Sequence, residues 1–104
     1  MTSIEKINEL VLQELKEANE IYPQFHSDHE AWAVIKEETE ECTEALEHLQ
    51  HYIQVMWRGI RENKDIDEWL TFTQRQAMNL AAEAIQVAAM CEKGLARYAD
   101  AKNL

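Results

Sequence analysis

The segment DHEAWAVIKEETEECTEALEHLQHYIQVMWRGI, residues 28–60, decides the fold. Its positions Trp32, Ile35, Thr39, Cys42, Leu46, Leu49, Ile53, Met56 and Ile60 follow a 3-4 spacing, and only Thr39 is polar. A spacing this long predicts a helix of ~30 residues packed against partners. Ser27 and Glu30 form a capping-box pair at its start. Gly59 and the polar stretch from Arg61 to Asp65 mark its end.

Within this helix, Glu37-Glu38-Thr39-Glu40-Glu41 carries the spacing E-E-x-x-E. Residues three apart share a helix face, so Glu38 and Glu41 point the same way, ~5–6 Å apart at Cβ. On a solvated face the run is ordinary. In a core, two carboxylates together need a cation or a proton. A second seam, Ala31, Val34, Glu38, Glu41, Ala45, His48, Tyr52 and Val55, surrounds the two with apolar residues. Glu38 stands only ~40° from Cys42 around the helix, and Glu41 ~100°. Glu37, Glu40, Glu44 and Glu47 turn further towards solvent, with Glu37 kept as an accessory ligand.

Two more helices flank this one. The first runs from Ile4 to Ile21, with Thr2 and Glu5 as its capping box and Tyr22-Pro23 as its stop. The third begins at Asp65 or Asp67 and runs towards Ala99, with Gly94 a point of weakness. The chain therefore reads as one all-α domain, residues 1–104. It is an antiparallel hairpin of two long helices with a shorter helix before it. Three helices make a thin core, and the flanks of the second helix are also apolar. A homodimer completing a four-helix-type bundle is the expected remedy.

Composition narrows the function. The net charge of −10 repels a nucleic-acid polymer. A single nucleotide held through divalent cations is still allowed, because a metal inverts the local field. No apolar run approaches the ~18 residues of a membrane span, and the N-terminus lacks signal-peptide features, so the expectation is a cytoplasmic protein without a membrane partner. Cys42 and Cys91 each fall in an apolar stripe and read as buried reduced thiols.

The third helix carries the complement to the acidic run. Residues Leu80 to Cys91 are apolar on nearly every side apart from Glu83 and Gln86, which predicts a buried helix. With the turn centred near Asn63, position n faces about 126 − n. Glu83 and Gln86 then lie level with Glu38 and Glu41. Three carboxylates and an amide in one layer suit Mg²⁺, or Mn²⁺. The competing reading pairs these carboxylates with Lys36 or Lys93, or leaves them in solvent. Glu62-Asn63-Lys64-Asp65 also reads E-x-x-D, but at the hairpin turn, ~36 Å from Glu38 along a continuous helix.

These segments carry a resemblance. His29-Glu30-Ala31-Trp32-Ala33-Val34-Ile35-Lys36-Glu37-Glu38-Thr39-Glu40-Glu41 and Glu83-Ala84-Ile85-Gln86-Val87-Ala88-Ala89-Met90 are similar to the paired motifs of the MazG-like, all-α nucleotide pyrophosphohydrolase superfamily. The closest pattern is that of a phage- and bacteria-associated branch. The resemblance spans residues ~25–92. It implies Mg²⁺-dependent hydrolysis of a nucleoside triphosphate to monophosphate and pyrophosphate, in a house-cleaning role. It makes Glu38, Glu41 and Glu83 metal ligands and Glu37 the leading glutamate of the motif. Gln86 stands where the broader family has Asp, which removes one negative charge, and the gap from Glu41 to Glu83 is longer than usual.

Trp32, two turns from the carboxylates, is a candidate base-stacking residue, and with Lys36 and Lys93 it makes up the candidate substrate-binding set. His48 and His51 form a candidate surface clamp, though an exposed polar face is the plainer reading. No Glu-x-x-His, Gly-rich phosphate loop or C-x-x-C occurs. The rival to the enzyme is a non-catalytic helical dimer that keeps the scaffold.

Overall fold

The computed structural model describes residues 2–102, and within them the chain is three helices. They are α1 (Ile4–Ile21), α2 (Asp28–Arg61) and α3 (Asp67–Lys102). Helix α1 spans the predicted Ile4–Ile21, but its cap lies one residue later than predicted. Ser3, not Thr2, is the N-cap, and its hydroxyl accepts from the Lys6 N–H at 3.2 Å. Ser27 caps α2 as expected, accepting from the Glu30 N–H at 3.1 Å.

The turn between α2 and α3 is built by one residue in the left-handed region. Asn63 has φ 59°, its N–H donates to the Ile60 carbonyl, and the Lys64 N–H reaches back to the Gly59 carbonyl at 2.9 Å. These two bonds satisfy the last carbonyls of α2 in a Schellman motif, and Asn tolerates the required φ. Helix α3 then runs on past Ala99, and Gly94 does not interrupt it.

The two long helices pack antiparallel, and α1 lies mainly against α3. The buried cluster of Val11, Phe25, Ala89 and Met90 sits where all three helices meet. Ile7, Leu15, Val34, Ile35 and Ile85 pack around it. The connection from α1 to α2 is tied to α3 by side chains. Gln24 Nε2 donates to the Lys93 carbonyl at 3.2 Å, and Lys93 Nζ donates to the Tyr22 carbonyl. Nζ also lies 4.9 Å from the centroid of the Phe25 ring. Burial therefore pushes the Lys93 ammonium down from its ordinary range. Asp28 anchors the start of α2 by accepting from Arg97 Nη1 and Tyr98 OH, both at 2.7 Å.

Beyond the reach of α1 the hairpin stands alone. There Tyr52 stacks on Phe72 at 5.6 Å and Trp69 packs on both. The molecule measures 66 × 27 × 20 Å, with a radius of gyration of 18.0 Å. A compact domain of this length would have ~13 Å.

This shape corrects two expectations. The apolar run of α3 is not buried on all sides: Ala81, Ala84 and Ala88 are exposed, and so is Cys91. Cys42 is half-buried. The reason is geometric: a two-helix contact covers one strip of each helix, and α1 covers only part of the rest.

Candidate metal centre

Helices α2 and α3 bring Glu38, Glu41 and Glu83 together, with one carboxylate oxygen of each lying within 4.8 Å of the others. All three are half-buried. On α2, Glu38 stands four residues before Cys42, which turns its carboxylate to the edge of the helix contact. Glu83, three residues after Leu80, meets it from α3. The level predicted from the turn at Asn63 is the level at which they meet.

The electrostatics are those of an uncompensated cluster. Burial, followed by the charges of Glu41 and Glu83, pushes the Glu38 carboxyl up to about 7. Glu83 is raised first by hydrogen bonding to the Glu41 carboxyl, then by burial. Cys42 is raised by burial and by the same three carboxylates. One oxygen of Glu38 and one of Glu83, Oε2 in each, are buried with no hydrogen-bond partner. Buried polar atoms are nearly always paired, so these two acceptors are an open valence. An oxygen-only donor set from two rigid helices fits a hard divalent cation.

The carboxylates open onto a groove of about 500 Å³, lined by Glu41, Glu44 and His48 from α2 and by Gln76, Asn79 and Glu83 from α3. Gln76 and Asn79 escaped the sequence reading. The signal was present: Gln76, Asn79, Glu83 and Gln86 form one polar row at helical spacing. Glu14 on α1 also adds its charge at Glu83.

The other candidate residues fall in different places. Gln86 is half-buried one turn beyond Glu83 on α3. Glu37 is exposed, and its charge contributes to the rise at Glu38. Trp32 is exposed with Lys36 Nζ 5.8 Å from its ring centroid, and Lys36 pairs with Glu40 at 2.5 Å. Lys93 is buried in the corner made by the α1–α2 connection, with its Nζ on the Tyr22 carbonyl. The two lysines are thus engaged away from the three carboxylates. Among the described residues lining the groove there is no Lys or Arg.

No protein-family model matches the chain, and no match is found among curated proteins or solved structures. No helix of the described residues is long and apolar enough to cross a membrane.

Proposed function

We propose that the chain is a Mg²⁺-dependent nucleoside triphosphate pyrophosphohydrolase, acting in the cytoplasm as a homodimer. The observation that carries this reading is the set of three carboxylates on facing helices, two with buried, unpartnered oxygens. Glu38, Glu41 and Glu83 hold the metal, with Gln86 available one turn further along α3. Bound there, Mg²⁺ supplies charge neutralisation for the phosphates and a more acidic water. The groove beside them, with Gln76, Asn79 and His48 as neutral hydrogen-bonding groups, accommodates the phosphate chain. Glu37, solvated and adjacent to Glu38, is the group placed to take a proton from the attacking water. Trp32 remains the base-stacking candidate of this reading, whereas Lys36, paired with Glu40, and Lys93, buried on the Tyr22 carbonyl, take no part in it.

The test is pyrophosphate release from a panel of NTPs and dNTPs with Mg²⁺ or Mn²⁺. Wild type is expected to turn over at least one of them, and Glu38→Gln and Glu83→Gln are expected to fall to background. Turnover unchanged in both variants would sink the proposal.

One observation favours the rival, a helical dimer without catalysis. Gln86 leaves the layer a carboxylate short of the pattern it resembles, and no groove-lining cation assists the phosphates. Calorimetry separates the two: micromolar Mn²⁺ binding abolished by Glu83→Gln supports the metal centre, and no binding supports the rival.

A further inference from the structure

Among the described residues Lys93 is the one buried charge, 4% exposed, and it takes part in no ion pair. A buried ammonium is rarely left without a counter-charge. Of its three donor directions, one goes to the Tyr22 carbonyl and the face of the Phe25 ring takes another. No described residue takes the third. Holding the α1–α2 connection in place does not require this charge. Gln24 already donates to the Lys93 carbonyl, and Arg97 and Tyr98 already hold Asp28. An apolar side chain of the same length would pack there without desolvating an ion.

The lysine stands in the wall of a cleft. Helix α1 approaches α3 but not α2, which leaves a gap between α1 and the start of α2. The gap is a cleft of about 440 Å³. Ala18 and Ile21 of α1, Phe25 of the connection, Val34 of α2 and Met90 of α3 line it, with Lys93 among them. A cleft of this size, apolar apart from a very few polar groups, has the make-up of a small-molecule site. Ile21 lines it and is nevertheless 72% exposed, so apolar surface at its edge is left uncovered. The other charged residue on the lining is Glu30. Its carboxylate is turned to His26 Nδ1 at 3.0 Å, with the side chain 41% exposed. Burial pushes the Lys93 ammonium down, and the charge of Glu30 offsets that only in part. The cation is therefore unmatched from within the chain.

We infer that this cleft is a second ligand site, which takes a small amphipathic monocarboxylate with its head on Lys93 and its apolar body against Ile21, Val34 and Met90. The donor set fixes the class. One ammonium on an otherwise apolar lining matches one negative charge. A phosphate would bring a second charge and further acceptors that the lining does not satisfy. A neutral ligand would leave the cation as it is, and an amine would add to it. The cleft and the carboxylate groove share no lining residue. The inference therefore stands apart from the metal reading, and its test needs neither metal nor turnover.

Calorimetry of the full, metal-free chain at pH 7 with octanoate, octan-1-ol and octylamine varies the head group on one apolar body. Octanoate is expected to bind with a Kd on the order of 0.1 mM. Octan-1-ol is expected to bind ~10-fold more weakly, and octylamine more weakly still. In Lys93→Met the advantage of octanoate over octan-1-ol is expected to vanish, with binding of the alcohol retained. Should Lys93→Met fail to fold, the order of the three heads on wild type decides. A chain of net charge −10 prefers the amine through its average field, so a preference for octanoate reports a local cation. No heat with octanoate up to ~10 mM overturns the inference. So does octan-1-ol or octylamine binding as tightly as octanoate, or an octanoate preference that survives in Lys93→Met.

Discussion

The two ends of this molecule are stabilised differently. At one end α1, the start of α2 and the end of α3 enclose Val11, Phe25, Ala89 and Met90, and a buried lysine ties the connecting loop to the packing. At the other end two helices share a single strip of contact, with Tyr52, Trp69 and Phe72 as the main packing. The carboxylate cluster sits between them, at the level where α1 still contributes the charge of Glu14 and its Ile7 and Leu10 lie beside Ala81 and Ala84 of α3. A third helix thus does more than add area. It turns a strip into an enclosed core, and where it stops, the chain is left with an apolar face.

The sharpest test sets one aromatic from each end against the other. Phe25→Ala removes a 5%-exposed ring from the three-helix core and is expected to cost ~3–5 kcal/mol in urea unfolding. Trp69→Ala, half-buried at the two-helix end, is expected to cost about 2 kcal/mol, because part of its surface is already wet in one copy. If Trp69→Ala proves the more damaging, the two-helix end is the better anchored, and the contrast between the ends fails.

A smaller effect tests the boundary between them. The Glu38 carboxyl is held near 7, above its ordinary value of 4.5, so folding favours its protonated form. The stability it contributes is full below about 4.5 and is lost as pH rises through about 7. Without metal, Tm is therefore expected to fall between pH 5 and pH 8 by the equivalent of ~1–2 kcal/mol. Glu38→Gln should flatten that slope. Saturating Mn²⁺ should remove it too, because it favours the ionised carboxylates. A slope that persists in Glu38→Gln would place its origin elsewhere.

The smallest change concerns the three-helix end alone. A Cβ built on Gly94 meets nothing within 4 Å, and the residue lies inside α3. Gly94→Ala is expected to stabilise by ~0.5–1 kcal/mol through helix propensity and a restricted unfolded chain. A loss instead would show that the space beside Gly94 is used.

The helices were legible because their signals are local. Pro23, the caps and the polar turn delimit them, and α1 runs from Ile4 to Ile21 as read. The carboxylate layer was legible because a hairpin with a known turn has a computable register. Two things were hidden. One was which of two interleaved apolar series faces inward. Residues 35, 42, 49 and 56 and residues 39, 46, 53 and 60 read as one stripe, but a lone helix partner covers only one of them. The other was Lys93. Its burial depends on a carbonyl 71 residues away in a connecting loop, and no local pattern announces such a contact.

The turn at Asn63 has a consequence for how this chain can change in length. Glu41 stands 22 residues before it and Glu83 stands 20 after it, so the hairpin works as a two-armed caliper whose jaws are carboxylates. One residue added to either arm swings its jaw ~100° and moves it ~1.5 Å along the axis. The arms can therefore lengthen only together and by near-whole turns, so the site constrains a stretch of helix far longer than the site itself.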